Sequence, residues 1–574
     1  MDSRTAAHIL DQIGDLLELT GAPRFNARAY HKAARAVLEL GSDDLAPLLQ
    51  SGDLKKTSGV GPATLSVISE LVETGASSYL ERLTENTPRG LVEMSRVPGF
   101  GLAKVSLIHR ELGVETLAEL EVVARDGRLA NVKGFGAKTA ERVLAGIEFA
   151  RDAGKKSLLH RGFAQALVLQ EQVERHPDVV EAIIAGSIRR VTEIVEDIDI
   201  VAICSDDPVA VAKSFATGPA VNEAVENGAS IRVRYIDDVR MNLVCALPED
   251  AAVALWRSTG SPAHVKQLMA HASTRKFTID GLKMRGPRAD IVSIDSEAAF
   301  FSNLGLEDIP PELREGMGEI GAAAKSELPE LVESQDIRGA LHNHTTWSDG
   351  GASIAEMALA AQSLGWSYIG ISDHSQFAFY AGGMKRDEVL RQHEEIDELN
   401  SRMKDFRILK GCECDILPSG NLDYEDNTLD LFDYIVGSVH SQFKMQKTVM
   451  TARVLKAMDD PRLTLLGHGT GRLLLSRKGY EIDIDAIIDK AAASGVALEL
   501  NADPYRLDLD WRSCRQARDK GVKIAIGPDA HSAESLENVE MGVRLARKAW
   551  CTRSDVLNTL TWRQVVSFAK ARRG

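Results

Sequence analysis

Six histidines in the C-terminal part of the chain stand in short motifs together with acidic residues. In chain order, the motifs read LHNHTTWSDG, ISDHS, GCECDIL, GSVHS, LGHGTGR and GPDAHS. They contain nine candidate metal ligands: His342, His344, Asp349, His374, Glu413, His440, His468, Asp529 and His531. Imidazole and carboxylate groups suit Zn²⁺, Mn²⁺ or Fe²⁺, and so many of them together indicate a multinuclear metal site.

The spacing of these residues favours positions at the ends of strands. His342 and His344 are two residues apart, as are Asp529 and His531, so each pair faces one side of a strand. Each motif ends a short apolar run, and this is where barrels of alternating strands and helices place their chemistry. His393 stands apart in a charged helical stretch, and we predict that it is a surface residue.

A second set of candidate residues lies in the segment AGSIRRVTEIVEDIDIVA. Asp197 and Asp199 are two residues apart on a predicted strand, so their carboxylates point to one side. Two adjacent carboxylates repel each other unless a divalent ion such as Mg²⁺ or Mn²⁺ binds them together with nucleotide phosphates. The turn Gly186-Ser187 and the side chain of Arg190 are the candidate contacts for a triphosphate.

A third pattern, an apolar residue followed by Gly-x-Gly and a helix, occurs three times in the first 150 or so residues. Such a turn exposes backbone N–H groups at a helix N-terminus, which is a phosphate site that needs no cationic side chain. The candidate DNA contacts are Gly59, Gly61, Gly99, Gly101, Lys104, Gly134, Gly136 and Lys138.

These residues require three kinds of supporting structure. The first 150 or so residues show helical periodicity with little strand signal. From about residue 178, short β-rich runs predict a sheet that carries the paired aspartates. From Asp336 onward, short apolar strands alternate with helical stretches, which is the pattern of a parallel sheet or barrel.

Length and composition bound the possible classes of protein. A chain of 574 residues is too long for one hydrophobic core, so about three to five domains are expected. The formal net charge of −15 excludes a uniformly basic protein that coats nucleic acid, although a local DNA-binding surface remains possible. The six cysteines form no CxxC pair, and no apolar run is long enough for a membrane span. We expect a cytoplasmic protein.

The motifs resemble those of known families. The glycine turns resemble the helix-hairpin-helix motifs of DNA repair proteins, and the Gly-Ser…Asp-Ile-Asp segment resembles the nucleotidyltransferase signature of family X DNA polymerases. The stretch WRSTGSPAH, which contains Gly260 of the nucleotide pocket, extends this second resemblance. The histidine motifs resemble the PHP (polymerase and histidinol phosphatase) domain and occupy all nine of its ligand positions. The order of these parts is similar to that of the bacterial PolX family.

This resemblance implies a multidomain protein of α and α/β class. It combines helical helix-hairpin-helix domains, a nucleotidyltransferase palm with a mixed β-sheet and helices, a thumb and a distorted (β/α)7 PHP barrel. The predicted bounds are 1–88 for the lyase-like helical domain, 89–154 for the fingers, 155–250 for the palm, 251–315 for the thumb, 316–336 for a linker and 337–574 for the PHP domain.

Several residues depart from the family pattern. Asn242 stands where family members carry the third metal-binding Asp of the palm, which should weaken metal binding and remove the base for the primer 3′-hydroxyl. Glu196 replaces the Gly before the first catalytic Asp, and Val265 replaces an Asn that contacts the incoming base pair. Val67 occupies the position of the lyase lysine.

The resemblance implies gap-filling DNA synthesis in base excision repair, coupled to a metal-dependent 3′–5′ exonuclease. The implied partners are gapped DNA or DNA 3′ ends and dNTPs, with Mg²⁺ or Mn²⁺ at the palm and about three Zn²⁺, Mn²⁺ or Fe ions at the PHP site. Arg472, Lys478 and Arg506 are candidate contacts to the phosphate backbone, and the chain is expected to be a monomer. Two alternatives stay open: a DNA-binding nuclease with a silent palm, and a small-molecule phosphatase of the histidinol-phosphate type.

Overall fold

The structure is a computed structural model, and it divides the chain into two compact units, Met1–Lys155 and Lys156–Gly574. It describes all residues except 39, 41–43, 96, 98, 99, 155, 219, 237 and 574. Of residues 4, 24, 85, 89, 93 and 148–154 it describes the backbone alone.

The first unit is helical. Its helices are α1 (Ser3–Leu19), α2 (Arg24–Leu38), α3 (Ala46–Gln50), α4 (Asp53–Lys56), α5 (Pro62–Thr74), α6 (Ser78–Asn86), α7 (Arg89–Ser95), α8 (Leu102–Leu112), α9 (Leu117–Arg125) and α10 (Ala137–Gly154). One hydrophobic cluster is formed mainly by α1, α2 and α5, and a second by α7 to α10. Val67 is buried in the first of these clusters, so an apolar side chain suits its position.

The second unit begins with the palm. Its strands are β1 (Ser157–Leu158), β2 (Val179–Ile184), β3 (Ile194–Val195), β4 (Ile198–Cys204), β5 (Val221–Asn227), β6 (Ser230–Tyr235) and β7 (Arg240–Ala246), and its helices are α11 (Leu159–Glu174), α12 (Gly186–Arg189) and α13 (Pro208–Ser214). Five of the strands form a sheet in the order β2-β4-β7-β6-β5. Only β4 and β7 pair in parallel, so the sheet is mixed, as predicted.

The thumb follows the palm and is mostly helical. It contains α14 (Ala251–Thr259), α15 (Pro262–Thr274), β8 (Thr278–Asp280), β9 (Lys283–Arg285), α16 (Glu297–Asn303) and α17 (Glu319–Ala323). Helix α17 lies in the segment predicted as a linker, yet its Ile320 and Ala323 pack in the thumb core. Glu319 is buried as well and accepts hydrogen bonds from the backbone N–H groups of Gly316 and Met317. The segment therefore folds against the thumb.

The PHP domain alternates strands and helices. The strands are β10 (Tyr368–Ile371), β11 (Arg407–Lys410), β12 (Glu413–Asp415), β13 (Val436–Ser438), β14 (Leu465–Leu466), β15 (Ala497–Asn501) and β16 (Ile524–Gly527). The helices are α18 (Ile354–Ser363), α19 (Arg386–Arg402), α20 (Asp426–Leu429), α21 (Lys447–Ala457), α22 (Ile484–Ser494), α23 (Trp511–Asp519), α24 (Asn538–Lys548) and α25 (Trp562–Lys570).

Backbone hydrogen bonds join these strands into a ring. Strands β12 to β16 form a parallel sheet, and β10 pairs in parallel with β11, which runs directly into β12. The segment 338–344 closes the ring: Gly370 donates to the carbonyl of Ala340 on one side, and His344 donates to the carbonyl of Ala530 on the other. The ring has seven members when β11 and β12 count as one, in agreement with the predicted (β/α)7 barrel.

The prediction that His393 is a surface residue is wrong. His393 lies on α19 and is 7% exposed, on the same helical face as the buried residues Val389 and Ile396. The spacing of these three residues follows the helical period, so the charged side chains of this helix occupy the opposite face.

Buried residues of the palm and of the PHP domain belong to one continuous hydrophobic cluster, so the two domains pack against each other within the second unit. No helix in the described parts of the chain has the length and apolar character that a membrane span requires.

Candidate metal centre and nucleotide site

The ring places all nine predicted PHP ligands at one site. Most of them stand at or just beyond the carboxyl end of a ring segment; Glu413 begins β12, and Asp349 follows the first segment in a turn. Their ligand atoms fall into overlapping groups whose members lie within 4.8 Å of one another. The groups are His344, Asp349, His374 and His531; His342, Glu413 and His468; His342, His344 and Asp529; and His374, Glu413 and His440.

Glu413 is the centre of one side of this cluster. Its Oε1 lies 2.9 Å from Nε2 of His468 and 3.3 Å from Nε2 of both His342 and His440. Its Oε2 lies 3.0 Å from Nδ1 of His374. The carboxylate is 1% exposed, so four imidazoles surround a nearly dry negative charge.

Two aspartates complete the other side of the cluster. Oδ1 of Asp529 lies 3.4 Å from Nε2 of His344. Oδ2 of Asp349 lies 3.5 Å from Nε2 of His374, and its Oδ1 lies 3.5 Å from Nε2 of His531. Because these ligands come from both ends of the PHP sequence, only the closed ring can assemble them.

The side chains fit bound metal ions. In the described part of the chain, the buried nitrogens without a hydrogen-bond partner include His342 Nε2, His344 Nδ1 and Nε2, His374 Nδ1, His440 Nδ1 and His468 Nδ1. A buried polar atom without a partner costs free energy, and coordination to a metal ion removes this cost. Mixed imidazole and carboxylate ligands are typical of Zn²⁺, Mn²⁺ and Fe²⁺ sites.

The electrostatics of the cluster favour added positive charge. Burial alone would lower the pKa of His374, but Glu413 and Asp349 raise it to about 10. Against the same effect of burial, Glu413 raises the pKa of His440 to about 9, and Asp349 raises that of His531 to about 9. The buried carboxylates thus hold protons on the histidines wherever a metal ion does not neutralise them.

Two further acidic residues lie beside the candidate ligands, and sequence reasoning missed both. Glu499 on β15 is buried, and its Oε1 lies 2.6 Å from Nδ1 of His342. Its Oε2 accepts a hydrogen bond of 2.6 Å from the backbone N–H of His468. Asp415, also buried, lies 3.4 Å from Nδ1 of His440. A carboxylate bonded to a ring nitrogen, as Glu499 is to His342, fixes the ring orientation and tautomer of a metal-binding histidine. The available signal was an acidic residue inside the apolar strand VALELN.

The three predicted phosphate contacts of the PHP domain differ in their surroundings. Nε of Arg506 lies 3.3 Å from Oδ2 of Asp529, which places this guanidinium at the cluster. Arg472 is held by protein acceptors, because it donates to the backbone carbonyls of Arg506 and Leu507. Lys478 is exposed.

The palm brings its predicted catalytic residues together on neighbouring strands. Asp199 on β4 pairs in register with Asn242 on β7, and the Asn242 side-chain amide donates a hydrogen bond of 2.9 Å to Asp199 Oδ1. Asp197 lies 3.7 Å from the guanidinium of Arg240. Burial raises the pKa of Asp199. The hydrogen bond from the Asn242 amide lowers this pKa, and the negative charge of Asp197 raises it further. A Cβ on Gly186 would lie 1.8 Å from Asp199 Oδ2, so only glycine fits beside this carboxylate.

The predicted nucleotide contacts are tied to the thumb. Nε of Arg190 donates to Glu315 at 3.0 Å, and its Nη1 donates to the carbonyl of Thr259 at 2.6 Å. Gly260 follows directly and packs against a side chain of α15. The carbonyl of Ser187 accepts hydrogen bonds from the backbone and side chain of Thr192, which fixes the turn.

The predicted DNA contacts of the first unit lie where helices begin. Gly61 and Gly101 are the N-cap residues of α5 and α8, and the carbonyl of Gly136 accepts the first hydrogen bonds of α10. A Cβ on any of these three glycines would meet no atom within 4 Å, so ligands can approach the backbone closely.

The remaining predicted contacts lie in the same turns. Gly59 and Gly134 have φ angles of +108° and +95°, which favour glycine. Lys104 and Lys138 are exposed on α8 and α10. Gly99 lies outside the described residues.

Four protein-family models match parts of the chain. Residues 340–503 match the model of the PHP domain, and residues 254–315 match that of the DNA polymerase beta thumb. Residues 1–77 match a helix-hairpin-helix domain, and residues 91–148 match a SAM-like helix-hairpin-helix tandem.

Among curated proteins, the DNA polymerase/3′-5′ exonuclease PolX of Bacillus subtilis is 34% identical over 574 residues, which cover 99% of this chain and 100% of that protein. A probable phosphatase of Clostridium acetobutylicum is 27% identical over 248 residues, 40% of this chain and 94% of that protein. A probable phosphatase of Thermoanaerobacter is 27% identical over 235 residues, 38% of this chain and 89% of that protein. Because the first similarity covers every domain, the chain belongs to the PolX family, the family X DNA polymerases that carry a C-terminal PHP domain.

Proposed function

We propose that this chain is a DNA repair enzyme that trims DNA 3′ ends by metal-dependent phosphodiester hydrolysis in its PHP domain and transfers nucleotides in its palm. The expected substrates are gapped DNA, DNA 3′ ends and dNTPs, as in base excision repair, and we expect a cytoplasmic monomer. The full-length similarity to a PolX protein named as polymerase and 3′-5′ exonuclease supports both activities.

The observation that carries the nuclease assignment is the convergence of nine candidate ligands around buried, unpartnered imidazole nitrogens. Zn²⁺, Mn²⁺ or Fe ions, about three of them, would be held by these residues and would supply Lewis acidity toward the scissile phosphate. Arg506, 3.3 Å from Asp529, would bind the phosphate and hold it at the cluster. Glu499 keeps His342 oriented by bonding its second ring nitrogen.

In the palm, Asp197 and Asp199 would hold Mg²⁺ or Mn²⁺, which would neutralise the phosphates of the incoming nucleotide. The close approach of Gly186 to Asp199 supports a nucleotide-binding turn beside these carboxylates. Arg190, whose guanidinium is held by Glu315 and the carbonyl of Thr259, follows this turn in the chain. In the first unit, the open glycine turns at the starts of α5, α8 and α10 would bind individual DNA phosphates.

One observation favours a second candidate function, a DNA-binding nuclease whose palm is weak or silent. Asn242 supplies an amide where a third carboxylate is expected, and this amide donates a hydrogen bond to Oδ1 of Asp199. The palm therefore has two carboxylates and no evident base for the primer 3′-hydroxyl, whereas all nine PHP positions are filled. We propose that hydrolysis is the better preserved activity.

Two single substitutions test both halves in the full-length chain with Mn²⁺. His344→Ala should abolish removal of 3′-terminal nucleotides, and Asp199→Ala should abolish incorporation on gapped DNA. Hydrolysis that survives the first substitution would show that the PHP site is misassigned. Synthesis that persists undiminished after the second would do the same for the palm. If the wild-type chain incorporates nothing at any Mn²⁺ concentration, the silent-palm alternative holds.

The phosphatase alternative requires a different substrate preference. The probable phosphatases similar to this chain match only its PHP half, and a metabolite enzyme needs no helix-hairpin-helix units. Comparing hydrolysis of gapped DNA with that of a phosphomonoester separates the two functions. A higher kcat/KM for the monoester would favour the phosphatase.

A further inference from the structure

A loop at the PHP cluster exposes three aromatic side chains within four residues. Phe379 is 85% exposed, Tyr380 63% and Phe377 40%. We name residues 375–383, which contain them, the aromatic loop. Burying a side chain of this size is favourable by about 1.5–3 kcal/mol, so the exposure of several neighbouring rings is not explained by folding. Exposed apolar patches of this kind mark binding sites.

The base of the aromatic loop is attached to two of the candidate ligands. The backbone N–H of Met384 donates to the carbonyl of His374 at 2.9 Å, which closes the loop directly behind this ligand. At Gly383 a Cβ would lie 2.0 Å from the carbonyl oxygen of Ser375, so the chain can return only through glycine. Gly382 lies against the backbone of Ser348, beside Asp349. The exposed rings therefore stand at the rim of the cluster.

The aromatic loop is also tied to a third candidate ligand. The backbone N–H of Ser375, the first residue of the loop, donates to the carbonyl of Glu413 at 3.0 Å. The ring of Phe379 stands edge-on to that of Tyr380, with centroids 5.9 Å apart. Lys385, at the end of the loop, is exposed and adds a positive charge.

These features suit unpaired nucleic acid bases. Aromatic rings with open faces bind bases by stacking, and neighbouring cations attract the phosphates between them. A duplex offers few exposed base faces, whereas a single-stranded end offers one per nucleotide. We infer that the aromatic loop stacks the unpaired bases at the 3′ end of a DNA strand whose terminal phosphodiester enters the PHP cluster.

This inference rests on the proposed nuclease function and names the residues that would contact the unpaired bases. Frayed or mismatched 3′ ends should be bound better than paired ends, because a paired base must first leave its helix. A single stacked base contributes about 1–3 kcal/mol, so the loss of one ring should reduce binding of such an end by about tenfold.

The test compares two oligonucleotides with the same unpaired 3′ overhang, one carrying all its bases and one with abasic residues at the last two positions. We define the base dependence as kcat/KM for the first divided by kcat/KM for the second, measured with the full-length chain and Mn²⁺. The phosphates are identical, so their contacts cancel in this ratio. We expect a base dependence of about tenfold or more in the wild-type chain.

Phe379→Ala should lower the base dependence to within about threefold, and Phe379→Trp should retain it, because the larger ring also stacks. The matched control is Leu359→Ala, which removes another exposed apolar side chain from the PHP domain and should retain the wild-type ratio. A base dependence that is the same in Phe379→Ala and the wild-type chain would overturn the inference. This result is expected if the aromatic loop contacts a protein instead of DNA bases.

A binding measurement separates this result from failure of the proposed function. In the His344→Ala chain, the Kd of each 5′-labelled oligonucleotide is measured by fluorescence anisotropy. If the wild-type chain hydrolyses neither substrate, the nuclease assignment fails. The stacking site is then supported if Phe379→Ala, added to His344→Ala, removes the Kd difference between the two oligonucleotides. It is overturned if no difference exists.

Discussion

Asn242 donates its side-chain amide to Asp199 Oδ1 over 2.9 Å, across the parallel pair of strands at the centre of the palm sheet. Asp199 is the second of the two palm carboxylates, so the neutral residue at this position directly contacts a candidate metal ligand. A carboxylate there would add a third anionic ligand and a proton acceptor, and an amide supplies neither.

Asn242→Asp should therefore raise nucleotide incorporation by at least about tenfold, since a third carboxylate strengthens metal binding and can accept the proton of the primer 3′-hydroxyl. Primer extension on gapped DNA with Mg²⁺ and with Mn²⁺ measures this change. The control is Asn227→Asp, which adds the same charge at an exposed position of the same sheet and should leave the rate unchanged. Equal rates in wild type and Asn242→Asp would show that the missing carboxylate does not limit synthesis.

Glu499 is expected to control metal affinity from outside the ligand set. Its carboxylate lies 2.6 Å from Nδ1 of His342 and also accepts from the backbone of His468. Loss of such a partner typically lowers metal affinity about 10–100-fold. Glu499→Gln should therefore shift the Mn²⁺ concentration for half-maximal 3′-end hydrolysis upward by about this factor, with saturated kcat changing less.

The control for this experiment is Glu398→Gln on the exposed face of α19, which should leave the Mn²⁺ dependence unchanged. If Glu499→Gln alters kcat at saturating Mn²⁺ without any shift in the metal dependence, the residue does not act through the ligands.

The sequence predicts that the nine candidate ligands lie close together, because each stands in a short motif near an apolar run. Glu499 escapes the same reasoning, since the histidine that it contacts is far away in the chain: it is separated from His342 by 157 residues. A single acidic residue within an apolar strand does not reveal which side chain it faces. Only the closure of the ring, through segment 338–344, brings the two together.

His393 shows a different limit of sequence reasoning. The composition of α19 is strongly charged, and composition favours a surface helix. The burial of His393 follows instead from its spacing with Val389 and Ile396, which fixes one apolar stripe on a polar helix. Arg472 is a third case, because an arginine near a predicted site has the chemistry of a phosphate contact, and its carbonyl acceptors cannot be read from the sequence.

The buried position of His393 predicts acid sensitivity. Burial and, to a smaller extent, the charge of Lys410 lower its pKa to about 4, and the charge of Asp397 opposes this shift. Its ring packs edge-on against that of Phe432, with the centroids 5.2 Å apart. Because the unfolded chain binds this proton with a pKa near 6.5, stability falls as pH drops from about 6.5 towards 4. The loss amounts to at most about 3 kcal/mol.

His393→Leu should remove this part of the pH dependence, so that Tm falls less between pH 6.5 and 4 than in the wild-type chain. Thermal unfolding of the full-length chain at a series of pH values measures the difference. The control His8→Leu changes an exposed histidine and should keep the wild-type slope. Parallel curves for wild type and His393→Leu would contradict the assignment.

The last prediction concerns the contact between palm and PHP domain within the second unit. Nη2 of Arg472 lies 3.3 Å from Oε1 of Glu193, a palm residue, while its other contacts are the carbonyls of Arg506 and Leu507. Tyr505, in the same PHP segment, lies beneath the guanidinium of Arg161 at 5.6 Å. The palm thus holds the segment that carries Arg506 to the metal cluster.

Glu193→Ala should lower kcat/KM for 3′-end hydrolysis by about three- to tenfold, because small displacements of a positioned phosphate contact are costly to the reaction. The matched control is Glu196→Ala, three residues away, whose ion pair with Lys156 lies within the palm and should leave hydrolysis unchanged. Adding Arg506→Ala to Glu193→Ala should cost no more than Arg506→Ala alone, since both act through one side chain. Additive losses in this cycle would mean that Glu193 affects the nuclease by another route.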